Sequence, residues 1–83
     1  MQASIYHPRY ESLRAALVAA RKRAGLTQTQ MAQRLGVGQS FVSKIERGDS
    51  YVEVFTCVDW CTACGITPGA LLDSLVLSAS SGG

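Results

Sequence analysis

The stretch QTQMAQRLGVGQSFVSKIERG, residues 28–48, decides the fold. Met31, Ala32 and Leu35 fall on one side of a short first segment that ends at Gly36. Val42 and Ile45 fall on one side of a second segment, Gln39 to Arg47, that ends at Gly48. Thr27 stands at the N-cap of the first segment, with Gln30 placed to close a capping box. The intervening Gly36-Val37-Gly38 is a tight connection of the kind that joins two helices at a steep angle. A crossing of roughly 90–120° needs a small residue where the helices approach, and Ala32 supplies it. The turn needs a residue tolerant of positive φ, and Gly36 supplies that. Met31, Leu35, Val37, Val42 and Ile45 are the inward apolar side chains that both helices and the turn require.

The flanks read as helix too. From Tyr10 to Ala24, Leu13, Ala16, Leu17, Ala20 and Ala24 recur at amphipathic spacing, Arg21, Lys22 and Arg23 complement the last turn, and Gly25 ends it. After Gly48, Ser50-Tyr51-Val52-Glu53 reads as a second capping box. It opens a helix with Val54, Phe55, Val58, Cys61 and Cys57 turned inward, ended by Gly65. Thr67 as N-cap and Pro68 at the first helical position start a fifth helix carrying Leu71, Leu72, Leu75 and Val76. The expectation is one all-α domain of five helices over residues 10–77, with a flexible N-terminal arm, 1–9, and a flexible small-residue tail, 78–83.

Eighty-three residues, 47% hydrophobic and 17% charged, suit one small folded domain rather than a barrel, a doubly wound sheet or a disordered chain. No signal peptide is evident, because Arg9, Glu11 and Arg14 interrupt the N-terminal stretch, and no apolar run is long enough for a membrane span. Three cysteines, an odd number confined to residues 57–64, point to reduced thiols and a cytoplasmic protein. One histidine and no clustered carboxylates or phosphate loop argue against an enzyme. The net charge of +2 conceals an asymmetry: residues 1–47 hold eight bases and two acids, a net of +6, and residues 48–83 hold four acids and no base. A basic half joined to an acidic half suggests a polyanion-binding surface on one side.

The two helices and their turn have the signature of a helix-turn-helix. Through ARKRAGLTQTQMAQRLGVGQSFVSKIERG, residues 20–48, and GITPGALL, residues 65–72, the chain resembles the Cro/CI-like, or XRE-type, family of phage and bacterial repressors. The resemblance runs from about Leu13 to Leu72 and implies a lambda-repressor-like DNA-binding domain. It also implies that the motif's second helix lies in the major groove of double-stranded DNA.

The resemblance assigns roles by position. Gln39, Ser40, Ser43 and Lys44 would meet base edges. Glutamine can bond adenine N6 and N7 bidentately, and lysine can donate to guanine O6 and N7 or reach a phosphate. Gln39 is the first candidate for base readout and Lys44 the second, while Phe41 either meets a thymine methyl or packs on the following loop. Gln28 would clamp phosphate at the N-terminus of the motif's first helix, with Gln33, Arg47, Lys22 and Arg23 as further phosphate contacts or simply a solvated basic face. Arg21 is assigned to an ion pair with Glu46 that ties the recognition helix to the scaffold.

Cys57, Cys61 and Cys64 are spaced C-x3-C-x2-C. The iron–sulfur chemistry known with that spacing needs a barrel this chain cannot form, and structural zinc wants four ligands, with His7 far off in sequence. The thiols then either pack as small buried hydrophobes, which their inward positions favour, or gate the protein as a thiol or metal switch completed by Asp59 or a second subunit. Trp60, on the other side of that helix, reads as a boundary residue or part of a partner surface. No metal or cofactor is expected.

The resulting expectation is a sequence-specific regulator of transcription, a repressor binding a pseudo-palindromic operator as a homodimer. Its dimer seam is expected at Leu75, Val76 and Leu77. The competing expectations are an antitoxin or adaptor with a protein partner such as a toxin, and a thiol- or metal-gated regulator.

Overall fold

The computed structural model of the chain describes residues 8–82, with side chains from residue 8 to residue 76. Five helices follow one another: α1 Pro8–Arg23, α2 Gln28–Leu35, α3 Gln39–Arg47, α4 Val54–Cys64 and α5 Pro68–Gly82. The N-terminal residues 1–7 of the expected arm lie outside the described residues, whereas Pro8 and Arg9 form the first turn of α1. Proline suits that place because its fixed φ is helical and its missing N–H has no intrahelical partner there. At the other end α5 continues as helical backbone through Gly82, beyond the expected end at Leu77. The serines after Leu77 lower helix propensity only slightly, Ala79 favours the helix, and none of them supplies a stop.

The capping chemistry sets the boundaries of α2 and α3. Thr27 accepts the N–H of Gln30 at 3.1 Å while the Gln30 side chain accepts the N–H of Thr27 at 2.9 Å, a complete capping box. Gly36, at φ 72, ends α2 in the left-handed region, and the N–H of Val37 reaches back to the Ala32 carbonyl at 3.0 Å. Met31, Ala32, Val42 and Ile45 are buried, Leu35 is half-buried, and Val37, expected inside, is exposed on the turn.

The start of α4 differs from the sequence expectation. Its N-cap is Glu53, whose carboxylate accepts the Phe55 N–H at 3.1 Å, and Ser50 instead donates to the Tyr51 carbonyl at 3.3 Å. Residues 49–52 stay non-helical because α1 holds them. The Val52 N–H donates to the Tyr10 hydroxyl, and the Tyr10 and Tyr51 rings meet edge to face with centroids 5.3 Å apart.

The inward face of α4 differs in part: Cys57 and Cys61 are turned inward as expected, whereas Val54, Phe55 and Val58 are not. Cys57, Trp60 and Cys61 are buried, while Val54 and Phe55 are 67% and 70% exposed and Val58 is also on the surface. The helix is apolar on most sides, so two stripes compete for the core, and side-chain volume decides between them. Burying Trp60 removes about 150–250 Å² from water, which at about 25 cal/mol per Å² is roughly 4–6 kcal/mol. Trp60 is therefore neither a boundary residue nor a partner contact but the largest fully buried side chain. It packs with Leu17, Met31, Val42, Ile45 and Cys61, and Leu26 and Leu71 close the core around them.

Candidate nucleic-acid interface

Val42 and Ile45, fully buried at i and i+3, fix the rotation of α3 against the core. That rotation leaves Gln39, Ser40, Phe41 and Lys44 exposed and Ser43 half-buried. The base-contact candidates therefore share an accessible surface on α3. Phe41 is 39% exposed among them.

Gln39 is joined to the scaffold by a chain of hydrogen bonds. Its Nε2 donates to Gln28 Oε1 at 3.0 Å, and Gln28 Nε2 donates to Glu46 Oε1 at 3.0 Å. Glu46 in turn receives Arg21 through both oxygens, Nε at 2.6 Å and Nη2 at 3.0 Å. The third guanidinium nitrogen, Nη1, donates to the Leu26 carbonyl at 2.7 Å. The Arg21 and Glu46 side chains are only 10% and 8% exposed, so this is a buried, bidentate ion pair. It connects α1, the segment entering α2, and α3. Residues from three parts of the chain are thus linked, through Gln28, to the amide of Gln39.

The remaining candidates fall into separate groups. Ser43 and Arg47 are joined to each other, with Arg47 Nη1 donating to Ser43 Oγ at 3.0 Å and Arg47 Nε paired with Asp49 Oδ2 at 3.0 Å. Asp49 thus sets a negative charge against one of the expected phosphate contacts. Lys22 borders a shallow hollow with Arg14, Val18 and Glu46, on the side of α1 that carries the ion pair. Arg23 instead borders the groove between α1 and α5, beside Ile66, Leu71 and Ser74. Gln33 is exposed near Gln30 and Arg34, about 140° around α2 from Gln28, so it does not join the Gln28–Gln39 chain. In the expected dimer seam, Leu75 is half-buried against the core, Val76 is 60% exposed, and the side chain of Leu77 lies outside the described residues.

Two arginines act in ways the sequence did not announce. Arg34 Nη1 donates to the Ala63 carbonyl at 2.7 Å, satisfying a free acceptor in the last turn of α4. The guanidinium of Arg14 lies directly over Gly48, where a Cβ would come within 2.7 Å of Arg14 Cζ. Both involve partners distant in sequence, and no local pattern marks them.

The thiols are arranged for packing. Burial, reinforced by Cys57 alongside, pushes the Cys61 thiol up to about 11, and burial also raises Cys64 while Arg34 and Arg21 pull against it. A thiol held protonated is a poor nucleophile and a poor ligand. Among the described residues no group of histidine, cysteine, aspartate and glutamate is placed to hold a metal ion. Among the same residues no single helix is long and apolar enough to cross a membrane.

A helix-turn-helix family model matches residues 17–71. An XRE-family like protein from Pseudomonas syringae pv. tomato has a similar structure, with TM-score 0.80 and 43% identity over 84% of this chain and 85% of that one. The clp gene regulator ClgR from Corynebacterium glutamicum is similar at TM-score 0.74 and 27% identity, over 93% of this chain and 95% of that one. A second ClgR structure matches at TM-score 0.71 and 29% identity, over 86% and 80% of the two chains. A search of curated proteins yields no match.

Proposed function

The chain belongs to the XRE-type helix-turn-helix family of DNA-binding transcriptional regulators, and from that premise we propose that it is a sequence-specific repressor. It acts by occupying a promoter, with α3 in the major groove of a pseudo-palindromic operator. The observation that carries this reading is the hydrogen-bonded chain Gln39–Gln28–Glu46–Arg21, which holds an exposed amide on the recognition helix against a buried ion pair. A side chain ordered in this way has less rotamer freedom to lose when it meets a base.

In this reading Gln39 reads adenine and Lys44 reaches guanine or a phosphate, with Ser40 and Ser43 beside them. Gln28, at the N-terminus of α2, bonds a phosphate together with the free backbone N–H groups there. Lys22 adds phosphate charge from α1. Arg23, whose neighbours lie away from the Gln28–Gln39 chain, contributes through the general field, while Gln33, a neutral amide equally remote from that chain, stays on the solvated face.

The operator is bound by two copies, their recognition helices about 34 Å apart. Leu72 and Val76, exposed at 49% and 60% and one turn apart on α5, are the side chains that would pair across the two-fold axis. Leu75, turned to the core, supports them. Exposed Val54 and Phe55 favour a second reading in which a protein partner, such as a toxin, covers the start of α4.

Selection from a random duplex library tests the primary reading. One enriched, two-fold symmetric sequence is expected. Gln39→Ala should weaken its binding by about 1–3 kcal/mol and relax preference at one base pair per half-site. Enrichment of no sequence, with a protein co-purifying instead, rejects the repressor and favours the partner reading.

A further inference from the structure

We propose that Glu46 is a positioning residue that fixes which way the amide of Gln39 faces, and so selects the base that Gln39 reads. The inference rests on the DNA-binding reading above.

The argument follows from donor and acceptor chemistry along the chain. A carboxylate accepts and never donates. Glu46 Oε1 already receives Arg21 Nη2, and it also takes the Gln28 side chain at 3.0 Å. Gln28 must therefore turn its nitrogen inward, which leaves its oxygen facing Gln39. That oxygen can only accept, so Gln39 must turn its own nitrogen toward Gln28, as it does at 3.0 Å. One hydrogen of Gln39 Nε2 is thereby committed. The other hydrogen and Oε1 remain as an adjacent donor and acceptor.

That outward edge matches adenine, whose N7 accepts and whose N6 amino group donates in the major groove. The reversed amide would spend its oxygen on Gln28 and present both hydrogens, an edge suited to guanine N7 and O6. The direction is set by a charge two links from the base. Because Arg21 is itself anchored to the Leu26 carbonyl at 2.7 Å, and both charged side chains are buried, the carboxylate end of the chain is fixed, and the exposed Gln28–Gln39 bond takes its direction from that end. Ion pair and base preference are thus coupled without Glu46 touching DNA.

The test is a base-preference measurement on the wild type and two variants. The relevant base pair is the one whose preference disappears in Gln39→Ala. There the wild type should prefer adenine over guanine by about 5- to 150-fold. Arg21→Met/Glu46→Leu removes both charges at once and strands no buried ion, so the fold should survive, as checked by circular dichroism. Without the carboxylate, Gln28 can turn either way, and the preference should fall to within about threefold while other positions keep theirs.

A second variant, Gln28→Lys, donates to Glu46 and to Gln39 alike and should move the preference toward guanine. If the double variant does not fold, Gln28→Lys decides alone. A purely structural ion pair would lower affinity for all sequences equally and leave the adenine-to-guanine ratio intact. An unchanged ratio in the folded double variant, or an adenine preference kept by Gln28→Lys, overturns the inference while the DNA-binding reading stands. A wild type that enriches no sequence defeats that reading itself.

Discussion

Trp60 donates its indole N–H to the main-chain carbonyl of Leu17 at 2.9 Å, and both residues are fully buried. The bond joins α4 to the middle of α1 and gives the indole nitrogen the partner that burial demands. Val42 and Ile45 of α3 belong to the same buried cluster. The surface that carries Gln39 is therefore oriented by packing centred on Trp60, although Trp60 lies on another helix.

Replacing Trp60 separates the hydrogen bond from the packing. Trp60→Phe retains most of the buried area, and its cost should be about 1–2 kcal/mol for the lost bond and a small void. Trp60→Ala should cost about 3–5 kcal/mol. In a domain of this size each kcal/mol lowers Tm by about 4–8 °C, so thermal melts should place the two variants well apart. Coincident melting curves would contradict the packing account.

The parts legible in the sequence are those governed by local chemistry. Thr27 with Gln30, Gly36 and Gly48 act within a few residues of themselves, and they mark the motif in sequence as clearly as in structure. Cys57 and Cys61 read as inward in the sequence and are buried, but Val54, Phe55 and Val58 flank them as well as Trp60 does, so two apolar faces compete. Only packing against α1 distinguishes the two. Ser50 was likewise displaced as a cap by Tyr10, which holds Val52 from 42 residues away. The exposed positions of α3 follow from its period, whereas the Gln28–Gln39 and Gln28–Glu46 bonds depend on how α2 and α3 cross.

Gly48 should tolerate alanine less well than Gly36 does. Both have positive φ, 84 and 72, and alanine in that region costs about 1 kcal/mol. At Gly36 nothing lies within 4 Å of the added methyl, whereas at Gly48 the Arg14 guanidinium must leave its place. Chemical denaturation should give Gly48→Ala the larger loss of stability. In an Arg14→Ala background the two glycine substitutions should cost the same, and a persisting gap would assign it to something other than Arg14.

The thiols should be slow to react and dispensable for regulation. With Cys61 pushed up to about 11, the folded protein holds that proton more tightly than the unfolded chain. Its contribution to stability is present at neutral pH, and it is lost as pH rises from the ordinary thiol range through about 11. Thiol labelling of the native protein near pH 8 should modify half-buried Cys64 first and Cys61 only on unfolding. DNA binding should be unaltered when mild oxidant or a chelator is added. An oxidant-dependent loss of operator binding would restore the thiol-switch reading.

Asp49 is expected to restrain DNA binding through Arg47. The pair at 3.0 Å is more than half exposed on both sides, 58% and 52%, so it contributes little to stability. It does set a negative charge beside the proposed phosphate surface and occupies the Nε of Arg47. Asp49→Ala frees that donor and removes the charge, while Ser43 still accepts from Nη1. Affinity for every duplex should rise by about three- to tenfold at low salt, with no change in base preference. The plot of log affinity against log salt should steepen by about one unit, because one more phosphate is neutralised. Titrations at several salt concentrations measure both quantities, and an unchanged slope would place Arg47 away from the DNA backbone.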